Sequence, residues 1–169
     1  KNDQPVPMKK VVKITGGGTP SRKVLEYYTG NIPWLTSKDM KSEFITDTQE
    51  HVTEQAIKES AAKLIPAGSI LVVVKSKILM RRLPVAIATV PLCHGQDIKS
   101  IQCNSGINNY FIMYAMNHYE KDLLKQARGA NTEGLTLPML HEIPIPDAPL
   151  PEQERFAQIV ARYERLRAQ

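Results

Sequence analysis

Phe156, Ile159, Tyr163 and Leu166 recur at spacings of three and four over the segment Pro151 to Gln169, the seam of a heptad pattern along one side of a helix. Pro151 suits a first helical position, and Glu152 and Glu154 place negative charge in the first turn, where free N–H groups favour it. No turn or glycine cap interrupts the register, and nothing in the pattern announces a returning helix. The chain therefore reads as a domain over 1–150 followed over 151–169 by the start of a spacer helix, whose oily stripe another helix should cover.

A chain of 169 residues with 42% apolar and 23% charged residues suits one globular domain, alone or with an extension, that buries a real core. Twenty-two Lys and Arg against seventeen Asp and Glu give a net charge of +5, which permits nucleic acid as a partner without requiring it. The excess is uneven. Lys75 to Arg82 holds basic residues and no acid, Lys9, Lys10 and Lys13 crowd the start, and Arg22–Lys23 follows the glycine-rich turn. Cys93 and Cys103 stand ten residues apart and suit a reducing cytosol, so a cytoplasmic protein is expected. Neither usual zinc spacing is formed with His94, and no metal is expected. The longest apolar run, Ile70 to Val74, is far short of a membrane span, and no secretion signal opens the chain. No membrane partner is expected.

Periodicity and turn residues give a mixed α/β order. Val11 to Ile14 is strand-like and broken by Gly16-Gly17-Gly18-Thr19-Pro20-Ser21. Ile32 to Thr36 has strand content, with Pro33 suggesting an edge or a first position. Thr53 can cap a helix over Glu54 to Ala61, and Pro66-Ala67-Gly68 turns the chain into Ser69 to Lys75, a candidate central strand. Val85 to Thr89 and Ile98 to Gln102 are further strands. Asn108 or Asn109 can cap one long helix to about Lys125, with Tyr110, Phe111, Tyr114 and Ala115 inward. Arg128 to Gly134 reads as a loop, Thr136 starts a helical turn over Leu137 to Leu140, and Ile143 to Pro146 is extended. A proline-rich hinge (Pro144, Pro146, Pro149, Pro151) leads into the terminal helix.

Catalytic patterns are incomplete. The triple glycine is followed by Thr19-Pro20-Ser21 where a Walker loop needs Gly-Lys-Ser/Thr, and no helix of useful length follows for a dinucleotide fingerprint. Asn31-Ile32-Pro33-Trp34 resembles the Asn-Pro-Pro-aromatic motif of amino-group DNA methyltransferases with one proline missing, and no methyl-donor loop accompanies it. Asp97-Ile98-Lys99 matches the acid-x-Lys end of metal-dependent nuclease sites, which needs a second carboxylate such as Asp39 or Asp47; otherwise Asp97 closes a turn. Ser37, His51 and Asp39 lie near one another, yet nothing marks Ser37 as a nucleophile elbow. No catalytic residue and no cofactor are assigned. A catalytic DNA-modifying enzyme (an adenine methyltransferase or a Mg-dependent nuclease) is the alternative class.

The positive signal is a set of polar loops. A reader of double-stranded DNA needs Lys and Arg for phosphates and Gln, Asn, Arg, Lys, Asp and Ser for base edges. Gly17 to Lys23, Ser37 to Lys41, Lys75 to Arg82, His94 to Asp97 and Arg128 to Glu133 carry that mixture. The candidate DNA-binding residues are Arg22, Lys23, Ser37, Lys38, Lys41, Lys75, Ser76, Lys77, Arg81, Arg82, Arg128 and Asn131. Trp34 could be a groove wedge, but beside Leu35 it fits a core better.

Gly16-Gly17-Gly18-Thr19-Pro20-Ser21 and Tyr28-Thr29-Gly30-Asn31-Ile32-Pro33-Trp34-Leu35-Thr36-Ser37-Lys38-Asp39 resemble the opening of a target recognition domain from the specificity subunit of type I restriction-modification systems. The likeness continues through Thr53 to Ile57, Ser60 to Ser69, Gln96 to Lys99, Gly129 to Leu135 and Ile143 to Pro146, and closes on Leu150-Pro151-Glu152-Gln153. The matches run in order from about Lys10 to Gln169. The resemblance implies a mixed-sheet α/β recognition domain and a spacer helix that pairs with an antiparallel partner. It also implies double-stranded DNA as ligand and no catalytic centre. Methylation would come from separate modification subunits, and translocation and cutting from a restriction subunit of the assembled complex. A fragment exposing the stripe would be able to form a homodimer through the terminal helix. One departure stands out. Where members of that family often carry Arg-Ser-Gly-Ile-Leu, this chain has Lys75-Ser76-Lys77-Ile78-Leu79, so the turn should avoid positive φ. Lys77 then adds a cation that can meet a phosphate, a base or only solvent.

Overall fold

The computed structural model describes residues 4–129 and 134–169. In chain order the elements are β1 (Val6–Pro7), β2 (Val12–Thr15), β3 (Ile32–Leu35), β4 (Phe44–Ile45), β5 (Glu50–Val52), α1 (Glu54–Lys58), β6 (Ile70–Val73), β7 (Val85–Ala88), β8 (Cys93–His94) and β9 (Ile98–Cys103). They are followed by α2 (Asn109–His118), α3 (Glu120–Gly129), α4 (Leu137–His141), β10 (Pro144–Ile145) and α5 (Leu150–Arg167). The strands form a five-stranded sheet in the order β2-β9-β6-β7-β4, a three-stranded sheet in the order β5-β3-β8, and the pair β1-β10. The mixed α/β class expected from the sequence is the class observed.

The sheet is built around β6. All four of its residues are buried, between β9 and β7, which is why this stretch is continuously apolar rather than alternating. Ile98, Ile101, Ala86 and Ile87 continue the core on the flanking strands, and α2 covers it with Ile112, Met113 and Met116. A smaller core of Trp34, Val52, Ala56, Ala62 and Cys93 lies under the three-stranded sheet. Burial pushes the Cys93 thiol up to about 12 and the Cys103 thiol up to about 11, so both behave as small apolar groups.

Three expectations need correction. Pro33 lies in the middle strand of its sheet, not at an edge; on the β5 side it faces His51, while pairing with β8 begins only at Trp34, so its missing N–H breaks no bond to β8. The long helix divides at Tyr119, whose N–H is shared between the Ala115 and Met116 carbonyls at 3.2 and 3.1 Å. The next helix starts with Glu120, whose carboxylate accepts from the Leu83 N–H at 3.1 Å, and the change of direction brings Leu123, Leu124 and Ala127 into the core. Arg128, read as a loop residue, lies in the last turn of α3.

The terminal helix uses a different face from the one its heptad pattern advertises. It packs along α2 through Gln153 and Ala157, both buried, with Val160 partly covered. Ile159, Tyr163 and Leu166 are each 60% exposed and Phe156 46%, its ring resting edge-on against Phe111 at 5.7 Å. Gln153 fastens the first turn: its Oε1 accepts from the Asn108 N–H at 2.8 Å, and its Nε2 donates to the carbonyls of Ala148 at 2.8 Å and Gly106 at 3.3 Å. An apolar isostere would strand those groups. Gln153→Leu should lower stability by about 1–3 kcal/mol, while Ile159→Ser on the outer face should change it by less than about 0.5 kcal/mol; urea denaturation of both variants checks the contrast.

Candidate nucleic-acid interface

The strand pairings send the polar loops to one end of the molecule. Val73, the last residue of β6, lies opposite Ile98, the first of β9; Val85, the first of β7, lies opposite Val72; and the last residue of β2, Thr15, lies opposite Ser100. β4 runs parallel to β7, so the residues entering it belong to the same end. The chain therefore leaves β2 into Gly16–Lys23, leaves β6 into Lys75–Leu83, enters β4 from Lys38–Glu43 and enters β9 from Gln96–Asp97 at one edge of the sheet. β3 and β8, also parallel, deliver Ser37 and Gly95 there as well.

Asp97 holds this end together. Its carbonyl accepts from Val74 N–H at 2.8 Å and Lys75 N–H at 3.3 Å, and its carboxylate accepts from Ser37 N–H at 2.9 Å. The Thr19 hydroxyl donates to Gln96 Oε1 at 2.6 Å, and the Gly18 N–H to the His94 carbonyl at 3.0 Å. At Gly17 a Cβ would collide with the His94 carbonyl, so the loop can approach β8 only as glycine. A second close approach secures the opposite rim. Gly134 bridges Lys75, Leu135 N–H donates to the Val74 carbonyl at 2.7 Å, and a Cβ on Gly134 would overlap that carbonyl oxygen.

Lys75, Ser76, Lys77 and Arg128 come together around a cleft of about 680 Å³ floored by Leu79, Met80 and Ala127. Ser76 accepts from the Ile78 N–H at 3.4 Å and starts a 3₁₀ turn over Lys77–Met80, so Lys77 sits in a right-handed turn as its departure from glycine required. Arg81 and Arg82 are exposed at the end of this turn, with Arg82 Nη2 donating to the Met40 carbonyl at 3.4 Å. Lys41 lies beside Arg82. Lys38 projects from a 3₁₀ turn over Ser37–Asp39 in which Asp39 accepts from the Thr36 and Gln49 N–H groups, at 3.0 and 2.9 Å. Among the described residues, Lys38, Lys41, Lys75, Lys77, Arg81, Arg82 and Arg128 have no carboxylate partner within ion-pair distance. Asp39, Asp97 and Glu120, the acids of this end just described, accept from backbone N–H groups instead. The surface thus carries cations that make no direct ion pair, although Lys38 acts on Glu50 through space and Glu43 shares a hollow with Lys41 and Arg82.

Two candidates stand apart. Arg22 makes a two-pronged ion pair with Glu50 (2.5 and 3.0 Å) and its guanidinium lies 4.4 Å from the Tyr28 ring centre and 5.2 Å from Trp34. Its hydrogen bond to Glu50 holds that carboxyl below its ordinary range. Lys23 next to it is exposed. Asn131 lies outside the described residues. Sequence reasoning left Gln96 off the candidate set, although it is exposed in the turn at the centre of this end and bonded to Thr19; only its place in the His94 to Asp97 loop pointed to it.

The motifs that suggested catalysis are occupied structurally. Trp34 is 3% exposed, with its Nε1 donating to the Gly18 carbonyl at 3.0 Å, so its ring belongs to the core and offers no face to a flipped base. Asp97 and Asp39 are turned to backbone N–H groups, and Asp47 pairs with His51 at 2.5 Å. His94 is 1% exposed, with Nδ1 against the Gly95 carbonyl at 3.0 Å and Nε2 without a hydrogen-bond partner among the described residues. Burial depresses its pKa below 6.5, the Gly95 hydrogen bond opposing this in part. The unfolded chain takes up this proton more readily than the folded one, so the stabilisation is complete above about pH 6.5 and is lost as pH falls through the depressed value. Unfolding free energy should therefore decline below pH 6.5 by up to about 1.4 kcal/mol per pH unit from this group, and NMR titration of the imidazole should show a midpoint below 6.5.

The chain has recognisable relatives among known proteins, in sequence and in fold. Residues 2–169 match the model of the type I restriction modification DNA specificity domain. The chain is 33% identical over 160 residues to the type I restriction enzyme EcoR124I/EcoR124II specificity subunit of Escherichia coli, covering 93% of this chain and 40% of that protein. It is 30% identical over 167 residues to the type I restriction enzyme MjaIX specificity subunit of Methanocaldococcus jannaschii, covering 94% and 37%. The chain thus spans less than half the length of these relatives. In fold it is similar to the HsdS subunit from Thermoanaerobacter tengcongensis (TM-score 0.74, 17% identity, 96% of this chain and 37% of that one). It is also similar to the type I restriction-modification S subunit from M. genitalium (TM-score 0.69, 15% identity, 95% and 38%). By the match over nearly its whole length, the chain belongs to the type I restriction modification DNA specificity domain family.

Proposed function

We propose that this chain reads double-stranded DNA in a sequence-specific way, as part of the specificity subunit of a type I restriction-modification complex, and performs no chemistry itself. The observation that carries the reading is the gathering of Lys and Arg without ion-pair partners, together with Ser37, Ser76 and Gln96, at one edge of a hydrogen-bonded sheet. Phosphates need the cations; base edges need the amides and hydroxyls at fixed heights. Residues 1–150 form the recognition domain and 151–169 the start of the spacer. Modification subunits dock on them and carry out methylation, and the restriction subunit joins through the assembled complex. The chain works in the cytoplasm; its longest helices offer no membrane span among the described residues.

Arg81 and Arg82 serve as phosphate contacts together with Lys75 and Lys77. Replacing Arg81 and Arg82 with Ala should weaken binding to every duplex alike and reduce the slope of log K against log salt by about 0.9 for each phosphate no longer neutralised. Affinity that stays unchanged at both about 50 and about 200 mM salt would remove the pair from the interface.

The outer face of α5 is the proposed helix-pairing surface, supplied with Phe156, Ile159, Tyr163 and Leu166. A second helix covers it, from a second copy when no other is present. Sedimentation of this chain should show a dimer that Tyr163→Glu with Leu166→Glu returns to monomer; a monomer at all concentrations excludes self-pairing.

A further inference from the structure

Met80 is 76% exposed, at the end of the 3₁₀ turn Lys77–Met80 and directly before Arg81 and Arg82. The turn is fixed from several sides. Leu79 beside it is buried, Ser76 caps the turn, the Arg81 and Arg82 N–H groups both donate to the Ile78 carbonyl at 2.9 and 3.0 Å, and Leu83 is held by Glu120. A large apolar side chain is thus presented to solvent on a braced turn, between cations on both flanks, where it forms part of the apolar lining of the cleft with Leu79 and Ala127. Lone exposed apolar residues are common. This one lies in a turn flanked by Lys75 and Lys77 before it and Arg81 and Arg82 after it.

We infer that Met80 contacts the 5-methyl group of a thymine in the major groove and contributes to the choice of target. The inference rests on the DNA-reading function proposed above. A helical turn with its side chains is too wide for the minor groove, about 6 Å across, and enters the major groove, about 12 Å across. The major-groove edge of thymine offers an apolar methyl group, and apolar side chains are its usual readers. Lys75, Lys77, Arg81 and Arg82 reach the phosphates on either side and set the depth of insertion. The unbranched thioether adapts its rotamers to the methyl group at little strain.

The test starts with selection of duplexes by the whole chain from a random pool, followed by replacement of each thymine of the selected site with deoxyuridine, which removes only the methyl group. One such replacement should weaken binding of the unaltered protein about three- to fivefold, the size expected for one buried methyl. Met80→Ala should weaken binding to the thymine duplex to a similar extent, leave the salt slope unchanged because no charge is removed, and make that one deoxyuridine replacement silent. Selection of a defined site in which no thymine methyl is coupled to Met80 would overturn this inference and leave DNA reading intact. Failure to enrich any sequence, with no salt-dependent duplex binding, would overturn both. Because Met80 lies on the surface, thermal unfolding of the variant should match that of the unaltered protein.

Discussion

Asp97 is the residue on which the arrangement turns. One carbonyl and one carboxylate oxygen take hydrogen bonds from Val74, Lys75 and Ser37, that is, from two segments far apart along the chain, the β6 exit at Val74–Lys75 and the turn at Ser37. The β6 exit belongs to the large sheet and Ser37 to the small one, so this side chain joins two cores at the edge where polar loops gather. Its negative charge is also placed where backbone N–H groups neutralise it locally. Among the described residues, the lysines and arginines around it make no ion pair with a carboxylate.

The glycines have a related part in this use of space. Gly17 admits the first loop against β8, and Gly134 admits the segment after α3 against β6, each at a distance that excludes any side chain. Backbone bonds from Gly18 to the His94 carbonyl and from Leu135 to the Val74 carbonyl hold these two approaches, so exposed side chains that take no part in the bracing, such as Lys38, Lys77 and Arg81, can vary in kind without loosening the frame. A recognition surface needs that combination of a rigid support and interchangeable contacts.

Much of the frame was legible from residue pattern. The buried run Ile70–Val73, the strands at Val85 and Ile98, the caps at Thr53, Asn108 and Thr136, and the core position of Trp34 follow from local rules, and the structure has them. Apart from β10, the strands of two or three residues (β1, β4, β5 and β8) did not declare themselves, because they exist through their partners and not through their own periodicity. The division at Tyr119 arises from Glu120 reaching Leu83, a bond between residues distant in sequence. The inward face of α5 was hidden for another reason: its anchor is Gln153, and a search for apolar periodicity passes over an amide. At the candidate site, composition picked out the basic loops one by one, while their meeting at one edge depends on strand register. Arg22 shows the converse. Its type and position suited a phosphate contact, and its pairing with Glu50 and Tyr28 could not be seen from spacing.

The strand order has a consequence for how copies of this molecule meet. The outer members of the two main sheets are short: β4 and β8 have two residues each, β5 three, and β2 four with Lys13 exposed along it. Such edges give a passing chain little unpaired backbone on which to extend a ladder, and a lysine on the longest of them makes apposition of like edges unfavourable. Continuous cross-molecular sheet growth, the usual route from a β-rich domain to aggregates, is thereby discouraged even while an apolar helix face stays open.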